Sequence, residues 1–369
     1  MVRPTTFGAY IKKLRNIKGF GQRELARLME ISPSYLNDIE NDKRLAPPEP
    51  LLREFSKILD ACEEELFDLA SLSRNDIAAD VAELVRDSPE TVALLRTIRN
   101  YKPSEAVIKN IRAKIEESNT RAIIIAAGLG SRMGSHTQDK PKCMLEFGNQ
   151  TLLQRQMATY RSCGITDISV IRGYMKEKIT YDNVRYFENP DYTKNNILNS
   201  LFYAEAALNG HVICAYSDIL FEKHVVERVL DSDHDISIVV DIDWQGNYVG
   251  RKNHPVEEAE SVILDANNNV LEIGKIFTSK TDVHGEFIGM MKLTPRGAEL
   301  FKRHFYRAKE AFVGKPFQRA QTFEKAYLTD MIQEMVDLGV PIHSVIIERG
   351  WREIDTIEDY ENALRELVE

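Results

Sequence analysis

Residues 121–145, which decide the fold, read RAIIIAAGLGSRMGSHTQDKPKCML. The first of them favour a β-strand, and a loop of small residues follows from Ala126 to Ser131. Glycine and alanine let backbone N–H groups approach phosphate oxygens closely, and we expect a helix after the loop to add its dipole. Arg132 and Lys142 then supply the positive charge that a polyphosphate requires. The stretch therefore predicts a phosphate-binding loop at the end of a buried strand.

The order of strand, small-residue loop, arginine and Pro-Lys resembles the signature of nucleotidyltransferases. These enzymes join a nucleoside monophosphate to a phosphorylated small molecule. On this resemblance the nucleotide-binding residues are Ala126, Ala127, Gly128, Gly130, Ser131 and Arg132. The alternative is an incidental glycine turn, which many α/β proteins contain.

From residue 120 onward, strand patterns alternate with helix patterns, which predicts a mostly parallel sheet with helices on both faces. The expected strands are 121–126, 168–173, 184–189, 211–218, 235–242, 286–293 and 342–348. The expected helices are 150–163, 196–208, 222–230, 295–310 and 323–338. The resemblance extends over 121–365. The fold class is therefore α/β, with a Rossmann-like nucleotidyltransferase domain over 120–369.

The composition is that of a globular protein, with 43% hydrophobic and 28% charged residues. A formal net charge of −9 argues against a protein that binds nucleic acid over a generally basic surface. No apolar run approaches the roughly 18 residues that cross a membrane, and the N-terminus has no signal-peptide core. Four cysteines without a C-x-x-C pair argue against structural zinc or a disulfide framework. We expect a cytoplasmic protein without a membrane partner.

The first 70 residues predict an all-helical domain. Residues 21–44 combine a short helix, a tight turn and a second short helix, with Ser32 as N-cap and Pro33 in the first turn. This plan is that of a helix-turn-helix. Over residues 7–68 the sequence resembles the phage-repressor-like helix-turn-helix family, which implies a DNA partner and a homodimer on paired half-sites.

By this resemblance, the third helix meets DNA. The residues expected to contact it are Gln22, Arg23, Ser34, Tyr35, Asn37 and Asn41, with Lys43 and Arg44 on the backbone. The alternative is a small helical bundle used for dimerisation. Asp38, Glu40 and Asp42 favour that alternative because they make the third helix fairly acidic.

Residues 71–119 also favour helices. They contain two apolar stripes, one of Ile77, Val81, Leu84 and Val85 and one of Val92, Leu94, Leu95 and Ile98. The segment is either a linker of packed helices or a dimerisation segment, and the sequence does not choose between them.

Two carboxylates stand out as candidate metal ligands. Asp218 ends the apolar strand VICAYSD, and Asp355 lies in WREIDTIEDY before the last helix. Nucleotidyl transfer needs oxygen ligands for Mg²⁺, and the carboxyl edge of a parallel sheet is where such ligands meet. By resemblance, Asp218 matches the family's central metal ligand and Asp355 its second. The alternatives are a turn residue at Asp218 and a helix N-cap at Asp355.

Three cations are candidate catalytic residues beside these carboxylates. The resemblance implies that Arg132 binds the β- and γ-phosphates and that Lys142 contacts the phosphates. Lys275, in LEIGKIF, matches a family lysine that faces the acceptor phosphate. For the two lysines the alternative is a solvated surface position.

Three segments, 188–208, 216–226 and 285–293, resemble phosphonate and phosphocholine cytidylyltransferases. This implies CTP and a small phosphonate or phosphate acceptor, with Asp191, Tyr192, Asn196, Ser200 and Glu286 as substrate-binding candidates. The protein would also regulate its own pathway genes through its DNA-binding head. The alternatives are a sugar-1-phosphate nucleotidyltransferase and a transcription regulator that uses the transferase fold as a ligand sensor.

Overall fold

The computed structural model describes residues 6–59, 61, 63–74, 88–108, 110–111, 119–248, 251–275 and 283–366. Internal contacts divide the chain into two compact units, Met1–Val107 and Ile108–Glu369. The division falls within the segment 71–119. None of the helices in the described ranges has both the length and the apolar character needed to cross a membrane.

The first unit is helical. Its described helices are α1 (Phe7–Ile17), α2 (Gln22–Leu28), α3 (Pro33–Glu40), α4 (Glu49–Leu59), α5 (Glu63–Arg74) and α6 (Pro89–Tyr101). One apolar cluster packs α1 to α5 together, and Ile11, Leu25, Leu36 and Phe55 are fully buried in it. The helical spacing of these residues places them on the inner faces of their helices.

Helix α3 begins as the sequence predicts. The Tyr35 N–H donates a hydrogen bond of 3.1 Å to the Ser32 side chain, and Pro33 lies in the first turn. Proline fits there because the first N–H groups of a helix have no partner within it. The helix-turn-helix plan of α2 and α3 is confirmed.

The stripe of Ile77, Val81, Leu84 and Val85 lies outside the described residues. The second apolar stripe lies on α6, which begins where the Thr91 N–H donates to the Ser88 side chain at 3.2 Å. None of the α6 residues is buried. Whether 71–119 is a linker or a dimerisation segment therefore stays open.

The second unit is built on a nine-stranded sheet. The strands of this unit are β1 (Arg121–Ala126), β2 (Glu146–Phe147), β3 (Gln150–Thr151), β4 (Asp167–Arg172), β5 (Arg185–Glu188), β6 (Val212–Tyr216), β7 (Ile219–Phe221), β8 (Ile236–Asp241), β9 (Ser261–Leu264), β10 (Val270–Gly274), β11 (Gly285–Leu293), β12 (His343–Ile347) and β13 (Trp351–Glu353). The main order is β10-β9-β11-β6-β1-β4-β5, and β8 pairs with both β11 and β12. Strands β6, β1, β4 and β5 are parallel, whereas β11 runs antiparallel to β6 and β8.

Helices cover both faces of the sheet. They are α7 (Leu152–Ser162), α8 (Ile197–Leu201), α9 (Lys223–Leu230), α10 (Pro295–Phe312), α11 (Leu328–Asp337) and α12 (Ile357–Glu366). Strand β1 alternates between the two faces. Ile123 packs in a cluster with Phe301, and Ile124 packs in another with Met157. A strand buried on both faces is typical of a parallel α/β sheet, so the predicted fold class is confirmed.

The prediction of a helix directly after the phosphate loop is wrong. A short 3-10 segment, Ser131–Thr137, follows the loop, and Gly134 interrupts it with φ 53° and ψ −122°. The dipole of a long α-helix is therefore not available at this point. The segments expected as helices 196–208 and 323–338 also mix 3-10 turns with α-helix. The sequence patterns did not predict the strands β2, β3, β7, β9, β10 and β13, and β3 lies where the expected helix 150–163 begins.

Candidate active site

The phosphate loop lies at the carboxyl end of β1. Gly130 adopts a left-handed conformation with φ +63°, and a Cβ added there would lie 2.8 Å from the Cβ of Lys142. The Thr137 hydroxyl donates a hydrogen bond of 3.0 Å to the Gly130 carbonyl. Glycine at this position therefore lets the loop pack directly against the segment that carries Lys142.

Two short strands bring Asp218 and Asp355 together. Asp218 lies in the turn between β6 and β7, and β7 pairs with β13 so that Ile219 is opposite Glu353. The Ile354 N–H also donates a hydrogen bond of 2.8 Å to the Asp218 carbonyl. Both carboxylates consequently lie at the carboxyl edge of the parallel strands, where ligands bind in open α/β sheets.

Lys142 lies between these two carboxylates. Its Nζ is 2.8 Å from Asp218 Oδ2 and 2.8 Å from Asp355 Oδ1. Burial opposes the charge of Lys142, but the two carboxylates outweigh it and raise the pKa of the ammonium. Burial likewise opposes the charge of Asp355, but Lys142 and Arg132 outweigh it and lower the pKa of that carboxyl to about 2. Lys142 and Asp355 are therefore both ionised near neutral pH.

The other two predicted cations also line the site. Arg132 forms an ion pair with Asp355, and its side chain is 55% exposed, so the guanidinium is accessible to a ligand. Lys275 forms an ion pair with Glu258, and its Nζ lies 5.8 Å from the centre of the Tyr327 ring. Both cations line a cavity that also contains Asp218 and Asp355. The structure thus brings together all five predicted catalytic residues.

A first cavity of about 140 Å³ adjoins the phosphate loop. Predicted site residues that line it are Ala126, Ala127, Gly128, Gly130, Lys142, Tyr192, Asn196, Ser200 and Asp218. Ser200 is buried and accepts a hydrogen bond of 2.6 Å from the Asn189 amide. Asn196 caps α8 by accepting from the Ile197 N–H at 2.9 Å. Their predicted contacts with the acceptor stay predictions.

Asp191 lies apart from these residues. It forms an ion pair of 3.1 Å with Lys194 and accepts a hydrogen bond of 2.8 Å from the Tyr203 hydroxyl. Its side chain is 44% exposed, and it lines neither the first cavity nor the one that contains Lys275. The structure therefore does not bring Asp191 together with the other substrate-binding candidates.

The second cavity, which contains Lys275, has a volume of about 240 Å³ and an acidic wall. Glu286 is buried on this wall and accepts a hydrogen bond from the Tyr248 hydroxyl, while its Oε2 has no donor among the described residues. Burial raises the pKa of Glu286 to about 8 and that of Glu260 to about 7. The cavity thus contains carboxylates that a cation from solution could stabilise.

The site contains oxygen ligands suited to Mg²⁺. Asp218 Oδ1 is buried and has no hydrogen-bond donor in the described part of the chain, an arrangement that costs free energy unless a ligand compensates. A second donor set, His254, Glu353 and Asp355, has ligand atoms within 4.8 Å of one another. Mg²⁺ prefers oxygen over nitrogen, so the pair of Asp218 and Asp355 fits this metal better. The metal assignment stays a prediction.

Several residues of the site were not predicted. They are Tyr216, His254, Glu258, Glu260, Tyr327 and Glu353, all of which line the second cavity. Glu258 and Glu260 lie beside β9, a strand that the sequence patterns did not show. Glu353 is the last residue of β13 and Asp355 lies beyond that strand, so no strand period in the sequence pointed to Glu353.

The helix-turn-helix unit presents its own candidate site on α2 and α3. Of the predicted DNA contacts, Arg23, Ser34 and Asn41 are exposed, whereas Gln22, Tyr35 and Asn37 are half-buried. The Gln22 amide donates hydrogen bonds to Glu40 at 3.0 Å and to Asn37 at 3.3 Å. Internal hydrogen bonds therefore fix the position of Gln22 beside α3.

Comparison with protein families identifies both units. Residues 122–274 match the model of the MobA-like NTP transferase domain, and residues 8–72 match the model of a helix-turn-helix domain. The transferase match covers less than half of the chain. It includes the phosphate loop, Lys142, Asp218 and Glu258, whereas Asp355 lies beyond the matched range.

Two curated cytidylyltransferases are similar to this chain. The CTP:phosphoglutamine cytidylyltransferase of Campylobacter jejuni is 28% identical over 251 residues, which cover 65% of this chain and 97% of that protein. The 2-aminoethylphosphonate cytidylyltransferase of Lancefieldella rimae is 30% identical over 115 residues, covering 29% of this chain and 47% of that protein. Both relatives to which this chain is similar are thus cytidylyltransferases.

A solved structure shows the same fold. The CTP:phosphocholine cytidylyltransferase of Streptococcus pneumoniae superimposes with a TM-score of 0.51 at 20% identity, covering 68% of this chain and 99% of that one. The structural likeness therefore covers a larger share of the chain than the matched family range does.

Proposed function

We propose that the protein is a magnesium-dependent cytidylyltransferase. It transfers CMP from CTP to a small phosphonate or phosphate ester that carries an ammonium group, and it releases pyrophosphate. The convergence of Lys142, Asp218 and Asp355 beside the phosphate loop is the observation that carries this proposal. The pairing of β7 with β13 and the close packing at Gly130 hold these three side chains in place, so they form a pre-organised site for polyphosphate.

The reaction needs positioning and charge neutralisation more than covalent chemistry. An acceptor oxygen attacks the α-phosphorus of CTP, a new P–O bond forms, and the bond to pyrophosphate breaks. Lys142 and Arg132 neutralise negative charge on the phosphates, and the small-residue loop lets backbone N–H groups approach them. A magnesium ion held by Asp218 and Asp355 would add further neutralisation of the phosphate charge.

The acidic wall of the second cavity supports an acceptor with an ammonium group. Glu258, Glu260 and Glu286 line it, and Glu286 Oε2 has no donor among the described residues. Lys275 in the same cavity can pair with the acidic phosphorus group. Phosphoglutamine and 2-aminoethylphosphonate, the acceptors named for the two relatives, each combine an amine with such a group.

Pyrophosphate release tests the proposal. We expect release with CTP, magnesium and an ammonium acceptor, in a panel of four nucleoside triphosphates against 2-aminoethylphosphonate, phosphocholine, phosphoglutamine and glucose 1-phosphate. Asp218→Ala should abolish it, whereas Asp231→Ala, an exposed residue after α9, should not. Release only with UTP or dTTP and glucose 1-phosphate would instead indicate a sugar-1-phosphate nucleotidyltransferase. If no combination releases pyrophosphate but the chain still binds a nucleotide or an acceptor, the result would indicate that the transferase fold is a ligand sensor.

We further propose that the helix-turn-helix unit binds DNA as a homodimer and regulates the genes of its own pathway. The family match over residues 8–72 supports this role, as does the exposed position of Arg23 and Asn41. CTP and DNA occur together in the cytoplasm, where we place the protein. Promoter DNA from its own locus should be retarded on a gel at low salt, with a preference over scrambled DNA. Equal binding to both DNAs would contradict the regulatory role.

A further inference from the structure

A cavity of about 330 Å³ lies beside β13 and α12 and differs in charge from the two cavities of the transferase site. Four arginines line it, Arg251, Arg349, Arg352 and Arg365. The carboxylates in its lining are Glu353 and Asp359. The cavity therefore has an excess of positive charge, which is the reverse of the acidic second cavity.

The two carboxylates are already paired with one of these arginines. Arg251 lies 2.8 Å from Asp359 and 3.7 Å from Glu353. Arg349 pairs with Asp243 at 2.5 Å, but Asp243 is not part of the lining. Arg365 likewise lies 4.0 Å from Glu361, a carboxylate outside the lining, so the lining itself contains more arginines than carboxylates.

Two buried donors point to a ligand in this cavity. The Arg251 side chain is only 9% exposed, and its Nη2 lies 3.7 Å from Glu353 Oε2 without making a hydrogen bond to any described residue. The Nδ2 of Asn247 is also buried and lacks an acceptor in the same ranges. Buried donors without acceptors are costly, so a bound acceptor would relieve both groups.

We propose that this cavity binds a small multivalent phosphate anion, such as pyrophosphate, at a site separate from the transferase site. Guanidinium groups bind phosphate oxygens through parallel N–H donors, so an arginine-lined cavity favours phosphate over other anions. None of Arg349, Arg352 and Arg365 lines the transferase cavities.

Arg251 connects this anion site to Asp355. The carboxylate that pairs with Arg251, Asp359, accepts hydrogen bonds from the Asp355 N–H at 3.1 Å and the Thr356 N–H at 2.8 Å. An anion at Arg251 competes with Asp359 for the guanidinium. Occupancy of the cavity therefore acts on the turn that positions Asp355.

Calorimetric titration of the full chain with inorganic pyrophosphate, without magnesium, tests the site. The background for this test is the double variant Arg132→Gln, Lys142→Gln, which lacks two cations of the transferase site. This background should still bind one pyrophosphate per chain. Adding Arg349→Gln and Arg365→Gln should weaken that binding at least tenfold. The matched control adds Arg185→Gln and Arg307→Gln, two exposed and ion-paired arginines outside the cavity, and should bind as the background does.

Equal affinity in the cavity variant and the matched control would overturn the proposal, as would a background that binds no pyrophosphate. The unmutated transferase site gives a second measurement. The wild-type chain should bind two pyrophosphates. A chain that carries only Arg349→Gln and Arg365→Gln should bind one. A stoichiometry that does not change would also contradict the site. Neither result depends on turnover, so the proposed cytidylyltransferase activity is tested separately.

Discussion

At the scale of single residues, Lys142 determines the electrostatics of the transferase site. Its ammonium separates two carboxylates, and each of them is 2.8 Å away. Without this charge, Asp218 and Asp355 would repel each other at the point where we propose that the triphosphate binds. The same ammonium that holds the carboxylates in place is also available to the phosphates of the nucleotide.

Lys142→Gln should therefore lower the rate of CTP-dependent pyrophosphate release by about 10²- to 10³-fold, the usual effect of removing one pre-organised donor. The matched control is Lys223→Gln, because Lys223 is 55% exposed and pairs with Glu227 away from the site. We expect that variant to keep wild-type activity. Comparable rates for the two variants would contradict the role of Lys142.

Glu286 gives a prediction for pH dependence. Because burial raises its pKa to about 8 in the folded chain from 4.5, the folded state holds a proton that the unfolded state has lost in this range. The contribution of Glu286 to stability therefore falls as pH rises from about 4.5 to about 8. Glu286→Gln should remove this decline, which is of the order of a few kcal/mol.

Urea unfolding of the wild type and of Glu286→Gln between pH 5 and pH 9 measures this difference. The control is Glu227→Gln, an exposed glutamate on α9 that pairs with Lys223 and should reproduce the wild-type curve. Parallel curves for wild type and Glu286→Gln would show that the buried carboxyl does not retain its proton. The same variant should raise the KM for an ammonium acceptor more than the KM for CTP.

At the scale of elements, the sequence predicts what depends on local pattern. Strand β1 alternates between two apolar faces, and Ser32 with Pro33 begins α3, as short-range spacing indicates. The three-residue strands β7 and β13 are too short to show a period, yet their pairing brings Asp355 to Asp218. Long-range pairing of short strands therefore determines the part of the site that the sequence alone could not show.

In the phosphate loop, a glycine substitution can distinguish an effect on activity from an effect on stability alone. Gly130→Ala places a Cβ 2.8 Å from Lys142 Cβ at a residue with φ +63°. Gly148→Ala has a similar backbone cost at φ +69°, but its Cβ meets only the Arg155 guanidinium at 3.8 Å. Both variants should lose about 1 kcal/mol of stability because left-handed backbone is unfavourable for alanine.

Only Gly130→Ala should also lose activity, since it alone displaces the segment that carries Lys142. We expect at least a tenfold fall in kcat for Gly130→Ala and near wild-type turnover for Gly148→Ala. Thermal unfolding and steady-state kinetics on both variants provide the measurement. An active Gly130→Ala variant with wild-type kcat would show that the close contact does not position Lys142.

At the scale of the whole molecule, the chain divides into two units with separate cores, and each unit carries one of the two candidate sites. The helix-turn-helix unit has its own buried ion pair, in which Arg15 Nε lies 2.5 Å from Glu40 Oε1. Glu40 is almost fully buried and also accepts a hydrogen bond of 3.0 Å from Gln22. This network joins α1, α2 and α3, so the position of the candidate DNA-binding helix depends on it.

Arg15→Met removes one partner of this pair and leaves the Glu40 charge buried, which costs about 3–5 kcal/mol. We expect the variant to lose DNA binding, because α3 can no longer hold its place in the first unit. CTP-dependent pyrophosphate release should remain at the wild-type level, since no residue of the transferase site lies in that unit. Arg27→Met, the same change at an exposed position of α2, is the control for charge alone. If Arg15→Met lowered turnover as strongly as DNA binding, the two units would fold and act as one, and regulation by a separate head would be wrong.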